Sequence, residues 1–296
     1  MLCLRRTLVQ SYHYSAKSAL QWLFIATFFC CSFQLQAQDT EQKKLQRLFV
    51  TATDNSTVEL PEGTFQLNVS LWLDGKKNVI IKGKGMDKTI LNFTNQVSGA
   101  EGIKVTNGQN ITLQDLTVQD TKGDAIKTQH VNGITFKQVK AEWTRGANSK
   151  NGAYGLYPVQ CTNVLIDGCE ARGASDAGIY VGQSNYIIVK NSKAYENVAG
   201  IEIENSMYAD VFDNEATNNT GGILIFDLPD LVQKKGGYIR VFRNNVHHNN
   251  HVNFAPKGNI VGKVPQGTGV MILATNHVDV FENKISNNIT ASTAVV

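Results

Sequence analysis

Charged side chains are scarce in this chain, at 18% of 296 residues, and proline (5) and cysteine (5) are few. So little charge, with Gly (25 residues) and Asn plentiful, argues against a helical enzyme and for many short strands joined by tight turns. Long hydrophobic runs are also missing, apart from Ala19 to Phe33. At about fifteen residues that stretch is short for a membrane span of roughly 20. Preceded by Arg5, Arg6 and Lys17 and followed by Leu35-Gln36-Ala37, it reads as a secretory signal peptide over residues 1–37. The expectation is a secreted, periplasmic or cell-surface protein with no transmembrane segment once the leader is removed.

The leader carries three of the 28 basic residues and no acidic ones, so 25 bases face 25 acids in what remains. A near-neutral chain has no net field to draw in nucleic acid, and any hold on an acidic polymer comes from local patches. Beyond the leader only Cys161 and Cys169 remain, as one disulfide or as two buried thiols, with a core thiol the simpler reading of Cys169.

What is present is a repeat. A small residue, an aliphatic, a variable residue and usually another aliphatic recur as Gly102-Ile103-Lys104-Val105, Ala125-Ile126-Lys127, Gly155-Leu156-Tyr157, Gly178-Ile179-Tyr180-Val181, Gly200-Ile201-Glu202-Ile203, Gly222-Ile223-Leu224-Ile225 and Gly269-Val270-Met271-Ile272. A second ladder, Val118, Ala141, Ala171, Ala194, Ala216, Val246 and Ile285, follows these copies at a nearly constant offset, giving a coil of 22–23 residues. That period, on segments too short for helices, predicts an all-β solenoid, a right-handed parallel β-helix over residues 54–296. Turn asparagines such as Asn191, Asn197, Asn214, Asn218 and Asn244 are expected to satisfy turn backbone or to stack in polar ladders.

Ahead of the repeat, Leu45, Leu48, Phe49 and Ala52 at helical spacing predict a short capping helix within residues 38–53. At the other end the next copy falls due at Ser292-Thr293-Ala294-Val295-Val296, so the expectation is a solenoid truncated at its C-terminus.

On these grounds the chain resembles the pectin-lyase-like superfamily of parallel β-helix proteins, which includes polysaccharide lyases, pectin hydrolases and alginate epimerases. The runs Asn151 to Cys161 and Ala174 to Ser184 look like an exported bacterial β-helix family of unassigned activity. The Asn-x-Asp, Asp-Asp and Gly-His-Gly signatures of pectin hydrolases and the Asp-Pro-His run of alginate epimerases are absent. The resemblance implies the face of the Gly-Ile-x-Val strands as a groove for an acidic, uronate-containing polysaccharide, either bound only or also cleaved or epimerised. A non-catalytic surface scaffold is the alternative.

The outward row of that face reads Lys104, Lys127, Tyr157, Tyr180, Glu202, Leu224, Met271. Lysines suit carboxylates, and tyrosine rings suit sugar faces. Lys104, Lys127, Tyr154, Tyr180, Gln183 and Glu202 are the candidate ligand-binding residues. Asp124 and Asp176 stand just before their strands, where pectin hydrolases place catalytic carboxylates. A lyase or epimerase instead needs a neutralising cation, for which Arg145, Lys150 and Arg172 are available, and a base, for which Tyr154, Tyr157, Lys127 or a histidine is; Asp124, Asp176, Arg145 and Tyr157 make up the candidate catalytic set. Three insertions flank this strand, within Trp143 to Ala153, at Asp227 to Lys235 and within Asn249 to Gly267, as loops that build a cleft would. His247, His248 and His251 are the only histidine cluster, and adjacent strand residues cannot share a metal without a bend. No cofactor is expected, since calcium would need convergent carboxylates that the pattern does not place.

Overall fold

A computed structural model describes residues 41–296; the signal-peptide reading of residues 1–37 falls outside the described residues. Nine parallel strands stack into one sheet, each reached from the last by a full coil: Val69–Asp74, Ser98–Thr106, Asp124–Gln129, Tyr154–Val159, Ala177–Gly182, Ala199–Glu204, Gly221–Phe226, Thr268–Leu273 and Ala291–Val295. The remaining strands form a second parallel sheet of 16 strands that closes each coil. Consecutive coils start 22 or 23 residues apart where no loop intervenes, as from Tyr154 to Ala177 to Ala199 to Gly221.

Alternation along each strand explains the core. Ile103, Ile126, Leu156, Ile179, Ile201, Ile223 and Val270 all point inward and are buried in one cluster. The second ladder lies opposite, with Ala171 paired to Ala141 and Ala194, and Ala216 paired to Val246. Leu45 and Phe49, on a helix at residues 41–50, are buried in the same core.

Two asparagine ladders run up the inside of the turns. Asn197, Asn219, Asn249 and Asn288 are linked amide to amide at 2.9–3.1 Å, and Asn214, Asn244 and Asn283 at 2.9–3.0 Å. Each amide in the first ladder also receives the backbone N–H of the coil below, as Asn219 does from Asn197. This accounts for the glycine of the repeat. A Cβ at Gly200 would stand 2.6 Å from the Gly222 carbonyl oxygen and 2.7 Å from the Asn219 amide nitrogen, where no side chain fits. Asn191 and Asn218 serve differently, at turn positions with φ of 51° and 56°.

Cys161 and Cys169 are free thiols, both buried. Burial pushes the Cys169 thiol up to about 12 and also raises that of Cys161. Neither should react with iodoacetamide at pH 8 in the folded protein, whereas both should in urea; mass spectrometry of labelled protein checks this.

Candidate functional site

The outward row is a true ladder. Lys104 pairs with Lys127, Lys127 with Tyr157, Tyr180 with Glu202, Glu202 with Leu224, and Leu224 with Met271. Trp72 precedes Lys104 on the same row and is exposed. Sequence alternation places every member of the row in solvent, but the structure corrects this for its middle. Tyr180, Glu202 and Leu224 are buried, because the insertion between Asn249 and Gly267 folds back over the sheet and sets Val261 and Val264 against them. Strand periodicity decides which face a side chain is on, whereas whether that face meets water depends on a loop some 40–80 residues away in sequence.

The row therefore has an open part, Trp72 to Tyr157, and a roofed part. Under the roof lies a cavity of about 340 Å³, walled by Tyr154, Asp176, Glu202, Glu204, Phe226 and Leu228 and closed by Gly258 to Val261. Three carboxyl groups meet there. Asn259, from the roof, donates its amide to Asp176 Oδ2 at 3.0 Å, and Tyr180 donates its hydroxyl to Glu204 Oε1 at 2.8 Å. Glu202 is hydrogen-bonded to Glu204, and its Oε2 is buried with no hydrogen-bond partner. One coil beyond Tyr154, Asp124 Oδ1 accepts the Tyr154 backbone N–H at 3.3 Å.

Burial dominates the electrostatics. Loss of hydration pushes Asp176 up to about 7, with Glu204 and Asp124 adding repulsion, and pushes Asp124 up to about 6. Glu202 is raised well above the carboxylate range, first by burial and then by Asp176. The same loss of hydration lifts Tyr157 to about 12 and raises Tyr154 and Tyr180 as well, with the acidic neighbours next in size. The tyrosines thus remain protonated near neutral pH and act as hydrogen-bond donors and as walls, packed with ring centroids 4.4–5.0 Å apart. The ammonium of Lys127 stands 4.9 Å from the Tyr157 ring centroid, and Lys104 is 3.6 Å from Glu101.

Of the sequence candidates, Asp176, Tyr154, Tyr180 and Glu202 come together around the cavity, with Tyr157 and Asp124 beside it and Lys104 and Lys127 along the open row. Arg145 is exposed in the loop before Asn151 and is not among the residues lining the cavity. Gln183 holds the 227–236 loop, accepting the backbone N–H groups of Val232 and Gln233 at 3.0 and 3.3 Å.

The insertions divide their work. Leu228 and the 258–261 segment come from two of them, while the first ties itself to the coil edge through Trp143 and Asn151. The sequence reading missed Glu204, although it follows Glu202 by two and so shares its outward face. Asn259 carried no signal at all. Among the described residues no group of three or more His, Cys, Asp or Glu is arranged to hold a metal ion. His248 supplies the bend between the histidines with φ of 54°, bringing its Nδ1 2.8 Å from that of His247.

A family model described as a right handed beta helix region matches residues 77–231 and 147–296. The chain belongs to the right-handed β-helix family. Among curated proteins, a pre-neck appendage protein of Bacillus phage B103 is 25% identical over 205 residues, 56% of this chain and 23% of that protein. The β-helix described here thus spans about a quarter of the length of that curated relative. Among solved structures, the A-module of the mannuronan C-5 epimerase AlgE4 of Azotobacter vinelandii matches with a TM-score of 0.54 at 16% identity, covering 87% of this chain and 76% of that one. The periplasmic alginate epimerase AlgG matches with 0.52 at 11%, covering 74% of this chain and 49% of that one. At these identities the likeness is one of fold, and it agrees with the parallel β-helix expected from the repeat.

Proposed function

We propose that this β-helix is an exported polysaccharide-processing protein. It binds a uronate-containing chain along Trp72, Lys104, Lys127 and Tyr157 and hydrolyses a glycosidic bond at the roofed end of the row. The observation that carries this reading is the set of carboxyl groups with ionisation raised into the neutral range, placed where a partly exposed row of lysines and aromatic rings runs under a loop. A general acid must hold a proton at working pH, and desolvated Asp176 does so.

Asp176 gives its proton to the leaving oxygen as the C–O bond breaks, while Asp124 takes one from the attacking water. Their strands are two rungs apart, about 10 Å at the usual strand spacing. That is just beyond the roughly 6.5–9.5 Å that leaves room for water in inverting hydrolysis, a gap that side-chain reach can close. Elimination or epimerisation is less well supported, since among the described residues no Lys or Arg lines the cavity and burial holds the tyrosines in their protonated form. Export is supported by the leader-like sequence at residues 1–37.

Incubation with alginate, pectate and hyaluronan should release reducing ends without the ultraviolet absorbance of unsaturated uronates. Chromophore forming in step with reducing ends would replace hydrolysis by elimination, and absence of binding to all three would end the reading. The double variant Lys104→Ala/Lys127→Ala should weaken binding of the responsive polymer roughly tenfold at low salt, about 1.4 kcal/mol, and the difference should shrink at high salt. Affinity electrophoresis across a salt series measures both.

A further inference from the structure

A second groove lies on the other sheet, away from the roofed cavity. It is a shallow trough of about 780 Å³ whose lining runs from Asn163 through Tyr186, Tyr208 and Tyr238 to His277, over a floor that includes Ile188, Asp210 and Arg240. The rings are stacked in sequence, Tyr186 on Tyr208 and Tyr208 on Tyr238 at 5.3 Å, and Tyr238 on His277 at 4.6 Å. The three tyrosines are about half exposed, at 58%, 47% and 51%.

The backbone makes this ladder unusual. In the earlier coils the same rung is held by Asn78, Asn110, Gly133 and Asn163, as the strand register shows, with φ between 52° and 81°. Asn and Gly accept that left-handed conformation readily; bulky side chains do not. Tyr186, Tyr208, Tyr238 and His277 continue the rung at φ of 51–58°. The coil can be built without aromatic residues there, so three strained, half-exposed tyrosines in consecutive coils call for a reason outside folding.

Stacked rings turn their edges outward, presenting C–H groups and phenol hydroxyls at every rung. This is the mixed apolar and hydrogen-bonding surface that a sugar polymer matches. From Asn163 to His277 the trough crosses four rungs, about 19 Å, enough for several sugars in an extended chain. Charge narrows the class. Arg240 is engaged by Asp210 through two hydrogen bonds of 2.7 and 2.6 Å and faces Asp279 on the next rung, so one arginine meets two aspartates and the lining carries a net negative charge. A uronate chain would be repelled there. We infer that the Tyr186–Tyr208–Tyr238 trough is a second carbohydrate-binding groove, and that it takes a neutral glycan. This stands apart from the reading of the carboxyl cavity, which lies on the other sheet.

The test is native affinity electrophoresis in gels containing dextran, a soluble mixed-linkage β-glucan or a galactomannan. The variants are Tyr208→Asn/Tyr238→Asn, which restores the residue this rung carries at 78, 110 and 163, and Lys104→Ala/Lys127→Ala on the other sheet. At least one gel should retard the wild type and the lysine variant alike, with retardation at least tenfold weaker in the tyrosine variant at unchanged thermal stability. Retardation unaffected by the tyrosine changes, or none in any of the three gels, overturns the inference. So does sedimentation velocity showing a wild-type dimer that the tyrosine variant loses, since the face would then be an interface between copies.

Discussion

Asp176→Asn should lower the rate of polysaccharide cleavage by about 10²- to 10⁴-fold while raising the thermal stability of the protein above pH 7. The rate falls because an amide has no proton to give the leaving oxygen, and general-acid catalysis is worth roughly that factor. The stability gain follows from linkage. The Asp176 carboxyl is held at about 7 in the folded protein against 3.8 for the ordinary group, so between those values the folded state binds the extra proton. Stability therefore falls as pH rises through that window, and the full penalty is present above pH 7. At 1.36 kcal/mol per pKa unit it is on the order of a few kcal/mol. The amide, already bonded to Asn259, never ionises and escapes it.

Melting temperatures of variant and wild type should converge near pH 4 and separate by pH 8, with the variant higher. An Asp that merely capped a turn would give the opposite sign, since its loss would destabilise the fold at every pH above 4. Undiminished cleavage by the variant would remove Asp176 from the chemistry.

Asn219→Leu should destabilise the β-helix by about 3 kcal/mol or more, read from the midpoint and slope of urea unfolding. The Asn219 side chain accepts the backbone N–H and the amide of Asn197 and donates to Asn249 and to the Ala194 carbonyl. All of these groups lie inside the coil, where an orphaned donor or acceptor costs roughly 1–3 kcal/mol and leucine replaces none of them. Gly200 and Gly222 pack closely on this ladder, since a Cβ added at either would stand within 3 Å of the amide nitrogen of Asn219 or of Asn249.

Asn288→Ala, at the end of the same ladder and only partly buried, should cost less than half as much, because water reaches the groups it frees. Equal losses at the two positions would mean that the ladder contributes through turn conformation and not through buried hydrogen bonds.

Much of this architecture was legible in the sequence because a solenoid writes itself locally. Each coil repeats the same strand and turn problem, so Ile179, Ile201 and Ile223 announce the inward face, and Ala171, Ala194 and Ala216 announce the opposite one, without knowledge of any distant contact. The outward row from Lys104 to Met271 was legible for the same reason, since strand alternation fixes which face a side chain occupies. Glu204 was equally legible, two residues after Glu202.

The cavity was not. It exists because residues 249–267 leave the repeat, fold back and bring Asn259 to Asp176 across 83 positions of sequence, with Val261 and Val264 sealing Tyr180 and Leu224 from water. No periodicity describes such a loop, and its effect is the decisive one, because removing water is what raises the carboxyl groups into the neutral range. Sequence alone thus determined the coil, its register and the faces of its strands, all set by local backbone geometry. Only the tertiary structure decided which part of one face is dry, and hence where acid and base chemistry is supported.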